Sequence, residues 1–175
     1  MVIVGAGATG VEFAYLYRQY GSSVTVVELE PRLVPMEDEE ISESLGQSFG
    51  KQGIITMSGS SVDSVHIRDG EATVYVSSQG STAEIQCDVV LVAVGMHGNI
   101  ENIGLDVIGV VTQGGYIDIN ERMETNVKGV YAIGDVTGKA LLAHVASAQG
   151  VAAVESIAGL KPPDLDYELM PRAIY

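Results

Sequence analysis

The chain has 175 residues, of which 46% are hydrophobic and 18% charged, so it is long enough for slightly more than one domain and too apolar for a disordered protein. Its 23 Asp and Glu outnumber its 9 Lys and Arg, and the formal net charge of -14 disfavours nucleic acid and anionic membrane surfaces as partners. Cys87 is the only cysteine, which excludes an internal disulfide and a multi-cysteine metal site.

The N-terminal sequence has no targeting pattern, because Met1 leads directly into a strand-like apolar segment and then into glycines. The longest apolar run, residues 89–94, is far shorter than the roughly 18 residues of a membrane span. We therefore expect a soluble, cytoplasmic protein with no metal site.

The first half of the sequence predicts alternating strands and helices. Residues 1–4 form a predicted buried strand, and a glycine-rich turn leads from it into a helix that ends at Gly21. A second strand covers residues 24–28. Acidic residues at 37–40 then open another helix, where the helix dipole favours negative charge, and this helix ends near Gly53.

Three segments of alternating character follow, at 61–68, 72–77 and 82–87. Turn residues separate them, so they predict a three-stranded antiparallel insert, a β-meander. The continuous apolar run at 89–94 predicts a central strand of a parallel sheet, which ends at Gly95. Together these elements predict an α/β fold with a Rossmann-like parallel sheet and a β-meander insert.

The character of the sequence changes after Gly95, which places a domain boundary near residue 97. Short strands are predicted on either side of Gly114 and Gly115, and a further strand at 130–133 leads into Gly134 and Asp135. A helix of small residues is predicted over 141–158, packed closely against a sheet. A Pro-containing tail follows it.

The first thirty residues carry a dinucleotide-binding fingerprint. Gly5, Gly7 and Gly10 form a GxGxxG motif between a predicted strand and a helix, and Glu28 lies 18 residues beyond Gly10, at the end of the next strand. The first glycine permits the tight turn, the second lets a pyrophosphate approach the backbone, and the third lets helix and strand pack closely. The helix N-terminus supplies amide donors and a positive dipole.

Glu28 favours NAD over NADP. A carboxylate at this strand end accepts hydrogen bonds from an adenosine ribose and repels a 2'-phosphate. Arg32 lies four residues further on, and because of this basic residue NADP remains an alternative.

Four stretches resemble the dihydrolipoamide dehydrogenase family, which belongs to the pyridine nucleotide-disulfide oxidoreductases. They are GAGATGVEFA at 5–14, VTVVELEPRLVP at 24–35, DVVLVAVG at 88–95 and TNVKGVYAIGDVTGKALLAHVASAQG at 125–150. They occur in the family's order and span the whole chain. The resemblance implies two Rossmann-like domains, one for NAD and a discontinuous one for FAD.

The resemblance implies specific contacts with NAD. Glu28 would hold the adenosine ribose, Val62 would lie beside the adenine, and Gly95 would pass close to the nicotinamide end. Two interpretations of Glu12 remain open: a carboxylate near the nicotinamide carboxamide, as in the family, or a glutamate near the helix start stabilised by the dipole. The residues of the NAD loop would be Gly5, Ala6, Gly7, Ala8, Thr9, Gly10, Val11 and Glu12.

The resemblance also implies contacts with FAD. Asp135, at the tip of a flavin-binding strand, would accept hydrogen bonds from the ribityl and phosphate region. Leu141, Leu142, Ala143 and His144 would lie along the isoalloxazine, with His144 contributing its backbone rather than its imidazole.

Three parts that the family needs are not in this sequence: an upstream FAD-binding GxGxxG, a redox-active cysteine pair, and a downstream interface domain with a His and Glu dyad. We therefore expect an internal fragment with an NAD-binding domain at 1–97, the C-terminal part of the FAD-binding domain at 98–160 and a linker towards the interface domain at 161–175. The fragment alone should hold no flavin, have no turnover and bind NAD weakly or not at all at micromolar concentrations. The unpartnered helix near 141–158 should drive self-association.

In the intact family member, dihydrolipoamide carried by 2-oxo-acid dehydrogenase complexes is oxidised through FAD, with hydride transfer to NAD, in an expected homodimer. Two alternatives share the nucleotide motifs. One is another flavin disulfide reductase, such as mercuric reductase, or an NADH oxidase or transhydrogenase. The other is a dinucleotide-binding or redox-sensing module without turnover.

Overall fold

All residues from 1 to 175 are described by the computed structural model, in which the chain divides into two units. The first unit comprises Met1–Gly95 and Ala173–Tyr175, and the second comprises Met96–Arg172. Each unit has its own hydrophobic cluster.

The first unit is built on a four-stranded parallel sheet with the order β3-β2-β1-β7. Ile3 at the centre of β1 is in register with Val26 on one side and Leu91 on the other. The elements of this unit are β1 (Val2–Val4), α1 (Ala8–Gln19), β2 (Thr25–Val27), α2 (Glu39–Gln52), β3 (Ile55–Met57), β4 (Ser61–Arg68), β5 (Glu71–Ser78), β6 (Ser81–Cys87) and β7 (Val90–Val92).

Helix α2 begins at the predicted acidic segment and ends at Gly53, as predicted. The Asp38 side chain accepts a hydrogen bond from the Glu40 amide at the N-terminus, and two glutamates occupy the first turn. Gly53 ends the helix in the left-handed conformation, with φ of 74°, which a glycine adopts without steric cost.

The two faces of the parallel sheet bury different partners. On one face Ile3 and Val26 join a cluster with residues of both helices, including Val11 and Phe49. On the other face Val2 and Val27 pack against the β-meander, the antiparallel sheet β4-β5-β6. This alternation along β1 and β2 follows from the two-residue period of a strand. The predicted α/β fold with a β-meander insert is confirmed.

The structure corrects the prediction for residues 89–94. Strand β7 pairs only with β1 and lies at the edge of the sheet, and Val92 is 67% exposed. A continuous apolar run reflects what covers the two faces of a strand, and it does not determine how many strands lie beside it. In addition, β3 was not predicted from the sequence, since it is only three residues long and closely follows α2.

The second unit has little regular structure. It contains the ladder of β8 (Thr112–Gln113) and β9 (Tyr116–Ile117), the helix α3 (Ala143–Ile157), and two short 3-10 helices, Gly134–Thr137 and Tyr167–Leu169. Its core is centred on Met123, which is 1% exposed and clusters with small residues of α3.

Two predictions for the second unit are wrong. Residues 130–133 form no strand, because Tyr131 makes only an isolated bridge with Glu124 and the segment has no further strand to pair with. Helix α3 does not pack against an extended sheet. Ala152 and Ala153 instead contact a core built largely from loops, and Val151, Val154 and Ile157 on the same helix are exposed.

Residues that follow α3 pack on the second unit. The Arg122 guanidinium donates to the Pro162 carbonyl, and Leu165 joins the core. No helix in the chain combines the length and the hydrophobicity that a membrane crossing requires.

Candidate dinucleotide-binding site

The glycine loop between β1 and α1 is closely packed at its two ends. Gly5 has φ of 98°, and a Cβ placed on it would lie 2.4 Å from the Ala93 carbonyl oxygen. A Cβ on Gly10 would lie 2.0 Å from the Gly5 carbonyl oxygen. Neither position has room for a side chain, so the first and third glycines are required by packing.

The middle glycine lies in a different environment. Gly7 is the N-cap of α1, no side chain caps the helix there, and a Cβ at Gly7 would meet no atom within 4 Å. Ala8 and Thr9, the next two residues, are exposed. Open space beside an uncapped helix N-terminus, where amide donors have no intrahelical partner, fits the pyrophosphate of a dinucleotide.

Glu28 lies directly after β2 and is 8% exposed. One carboxylate oxygen accepts a hydrogen bond from the Ala6 amide of the glycine loop, and the other accepts one from the Glu30 amide at 2.8 Å. The acid of the fingerprint is therefore attached to its glycine loop by a hydrogen bond within the folded chain.

The segment that precedes β4 is joined to the same strand end. The Glu28 amide donates to the Met57 carbonyl, and the Ser60 amide donates to the Glu28 carbonyl, both at 2.9 Å. Val62, at a β-bulge in β4, is half-buried and packs against the apolar cluster of the β-meander. Ser60, two residues before Val62 in sequence, is thus hydrogen-bonded to Glu28.

The loop from residue 29 to 38 covers the glycine loop from another side. Val34 is buried, and its amide donates to the Ala6 carbonyl at 2.8 Å. Nη2 of Arg32 donates to the carbonyls of Pro35 and Glu37, at 3.1 Å each. Val34 was not predicted from the sequence, because its contribution is a backbone hydrogen bond that no side-chain pattern reveals.

Glu12 and Gly95 are the two residues expected near the nicotinamide. Glu12 is half-buried in α1, and its Oε1 accepts a hydrogen bond from the Tyr175 amide at 3.0 Å. Gly95 is exposed with φ of 127°, and a Cβ there would meet nothing within 4 Å. The Glu12 carboxylate therefore accepts a hydrogen bond from the chain's own backbone in this structure.

The residues expected at the flavin lie in the second unit. Asp135 is exposed in the first 3-10 helix, Leu141 and Leu142 are half-buried before α3, and Ala143 and His144 begin that helix as exposed residues. The Asp135 side chain makes no hydrogen bond within the chain and is available to an external donor.

Gln149 organises the turn that carries Asp135. It is fully buried, its Oε1 accepts from the Gly134 amide at 2.6 Å, and its Nε2 donates to the hydroxyls of Thr137 and Tyr167. Gln149 was not predicted from the sequence. A polar residue within an otherwise small and apolar helical stretch, AHVASAQGVAAV, is the signal that could have identified it.

The sequence of this chain is similar to those of known proteins. Residues 1–150 match the sequence profile of the pyridine nucleotide-disulphide oxidoreductases. Dihydrolipoyl dehydrogenases of Mycobacterium leprae, Corynebacterium glutamicum and Chlorobaculum tepidum are 48%, 45% and 44% identical, over 100% of this chain and 38% of each relative. The chain therefore spans well under half the length of these relatives.

Solved structures give the same result. LpdA from Mycobacterium tuberculosis matches with a TM-score of 0.86 and 30% identity, over 94% of this chain and 36% of that one. The flavoprotein disulfide reductase RclA from Escherichia coli matches with a TM-score of 0.82 over 89% of this chain and 35% of that one, and at 24% identity it supports the fold alone. With the family profile matched over residues 1–150, this chain belongs to the pyridine nucleotide-disulphide oxidoreductase family.

Proposed function

We propose that this chain is part of a dihydrolipoyl dehydrogenase and carries its site for NAD. The observation that carries the proposal is the fingerprint in its folded form: an open Gly7 at an uncapped helix N-terminus, with Glu28 hydrogen-bonded to Ala6 of the same loop. The names of the relatives support the dihydrolipoyl dehydrogenase assignment over the other disulfide reductases and oxidases that share these motifs.

The roles within the site follow from its chemistry. The amides of Ala8 and Thr9 at the start of α1 would bind the pyrophosphate, and Glu28 would accept hydrogen bonds from the adenosine ribose. Glu12, which already accepts from an amide in this structure, would orient the carboxamide of the nicotinamide. With an acid at the ribose position, we propose NAD and not NADP as the dinucleotide.

The proposed division of the chain is an NAD-binding domain at 1–97, the C-terminal part of an FAD-binding domain at 98–160, and a segment at 161–175 that leads towards an interface domain. In the intact protein, bound FAD would supply the redox chemistry between a dithiol and NAD. Asp135, with its free carboxylate, fits the ribityl and phosphate region, and Leu141, Leu142, Ala143 and His144 would lie along the flavin ring.

The reaction of the intact protein would convert the dithiol of dihydrolipoamide and NAD⁺ into the cyclic disulfide, NADH and a proton. The carriers of the dithiol would be lipoyl-bearing components of 2-oxo-acid dehydrogenase complexes, and the intact protein would be a cytoplasmic homodimer. This chain, with one cysteine, would supply the dinucleotide site and not the reactive thiol pair.

NADH binding tests the proposal. The purified chain should show chemical-shift changes in the amides of residues 5–12 and 28–30 on titration with NADH, at concentrations above the micromolar range, and smaller changes with NADPH. The absence of changes at these amides at millimolar NADH would overturn the proposed site. A copurifying flavin would contradict the proposed division of the FAD domain.

A further inference from the structure

Arg32 lies in the loop that joins β2 to α2. Its Nη2 donates to two carbonyl oxygens of the same loop, those of Pro35 and Glu37, at 3.1 Å each. The side chain is half-buried. Hydrogen bonds from a charged donor are stronger than those between neutral groups, so this pair of bonds holds the loop in a defined turn.

The turn that Arg32 holds is a strained one. Val34, inside it, has φ of 40°, a left-handed conformation that β-branched residues rarely adopt. The Glu37 amide donates back to the Val34 carbonyl at 2.9 Å, which closes the turn. A conformation that is unfavourable for the residue itself persists only when surrounding contacts hold it.

The strained turn is joined directly to the dinucleotide loop. The Val34 amide donates to the Ala6 carbonyl, while the Ala6 amide donates to the Glu28 carboxylate. Both backbone polar groups of Ala6 are therefore hydrogen-bonded, the carbonyl to Val34 and the amide to Glu28. Any displacement of Val34 would release one of these two attachments.

We propose that Arg32 is a positioning residue of the dinucleotide site, which acts through Val34 to hold the glycine loop in its binding conformation. The proposal rests on the proposed function in assigning the loop to NAD. A basic residue four positions after Glu28 also suggests a different role, the binding of the 2'-phosphate of NADP. The positioning role proposed for Arg32 differs from that one. Nη2 of Arg32 donates instead to the protein's own backbone, next to the strained turn.

The test compares two arginines with matching chemistry. Arg32→Met keeps an unbranched stem and removes the donors. Arg18→Met does the same at an arginine that also donates to two backbone carbonyls, those of Gln52 and Ser22, where α1 and α2 end. Both variants lose two charge-assisted bonds in the same unit, but only Arg32 contacts the turn that holds Ala6.

The first readout needs no ligand. Hydrogen exchange of the Val34 amide is measured relative to that of the Val2 amide, which donates to the Val89 carbonyl within the sheet. In Arg32→Met we expect this ratio to rise about tenfold or more, because the Val34 hydrogen bond opens locally. In Arg18→Met the ratio should stay as in the original chain, since any loss of stability affects both amides. An unchanged ratio in Arg32→Met would overturn the proposal.

The second readout is dinucleotide binding. Arg32→Met should weaken NADH binding about tenfold, with NADPH remaining the poorer ligand, and Arg18→Met should not. If Arg32→Met instead weakened NADPH selectively, the arginine would be a phosphate ligand and the proposal would be wrong. If the original chain bound neither dinucleotide, the proposed function would fail, while the exchange ratio would still decide whether Arg32 holds the turn.

Discussion

The Ala6 amide donates a hydrogen bond to the carboxylate of Glu28, so the glycine loop and the acid of the dinucleotide fingerprint are in direct contact before any ligand binds. In sequence these two residues are separated by the whole of α1 and the whole of β2. In the fold they meet because β1 and β2 are parallel neighbours whose carboxyl ends lie at the same edge of the sheet. The contact makes Glu28 a structural residue as well as a candidate ligand.

Substitution of Glu28 is expected to affect stability and binding together. Glu28→Ala removes the acceptor of two backbone amides and should lower the free energy of unfolding of the first unit by about 2–3 kcal/mol. It should also weaken NADH binding at least tenfold. Urea unfolding and NADH titration of the same preparation measure the two effects.

Glu28→Gln and Glu30→Gln are the matched controls for that change. A glutamine keeps one acceptor oxygen and should recover part of the stability but not the ribose contact. Glu30 is exposed, and its neutralisation should alter neither quantity by more than about 0.5 kcal/mol. Full stability and full NADH affinity in Glu28→Ala would contradict both roles.

Alanine substitutions at Gly10 and Gly7 are expected to have different effects, the first on stability and the second on NADH binding. Gly10→Ala places a Cβ 2.0 Å from a backbone oxygen and should destabilise the first unit by about 3 kcal/mol or more. Gly7→Ala meets no atom and should cost at most about 1 kcal/mol, as alanine is a poorer N-cap than glycine, while its methyl group occupies the open space that fits the pyrophosphate. Circular dichroism melts separate the first effect, and NADH titration of Gly7→Ala detects the second. A Gly7→Ala protein that binds NADH as well as the original would show that the space is not the pyrophosphate site.

Gln149 is expected to stabilise the turn that carries Asp135. Gln149→Leu leaves the buried Gly134 amide without an acceptor, so the second unit should lose about 1–3 kcal/mol of unfolding free energy. Amide exchange at residues 134–137 should rise more than exchange at the C-terminal end of α3. Ser147→Ala, an exposed position on the same helix, is the control and should change neither. Equal exchange in Gln149→Leu and the original chain would remove Gln149 from this role.

The exposed face of α3 is expected to cause self-association. Val151, Val154 and Ile157 are 60%, 65% and 62% exposed and lie one turn apart along the helix. Light scattering coupled to size exclusion should therefore give a mass that rises with concentration. Val154→Glu should shift the protein towards the monomer, whereas Ser147→Glu should not. A monomer at all concentrations in the original chain would reject the prediction.

Local patterns predicted the helices and the β-meander because the determinants are close in sequence. Asp38 and Gly53 mark the ends of α2, and alternating residues with turn signals mark the three antiparallel strands. The position of β7 at a sheet edge and the absence of a strand at 130–133 depend on which strands are present as partners, and a single segment does not encode that.

The same distinction applies to the site. The sequence motif singled out the glycines and Glu28 as candidate residues, because steric and charge requirements are visible as residue types. It did not identify Val34, whose contribution is a backbone amide held in a strained turn, or Gln149, whose role depends on which turn packs against α3. The bonds of Arg32 to two carbonyls likewise follow from the loop conformation and not from the spacing to Glu28.

The β-meander has a consequence for attempts to reduce this protein to a smaller scaffold. Val74 and Val76 of β5 are almost fully buried against Val2 of β1 and Val27 of β2. A shortened version that joined β3 to β7 directly would expose one face of the central strands to solvent, even though it retained every residue of the fingerprint. For protein engineering, the smallest dinucleotide-binding unit of this chain is therefore set by coverage of both sheet faces, and it has to include the β-meander.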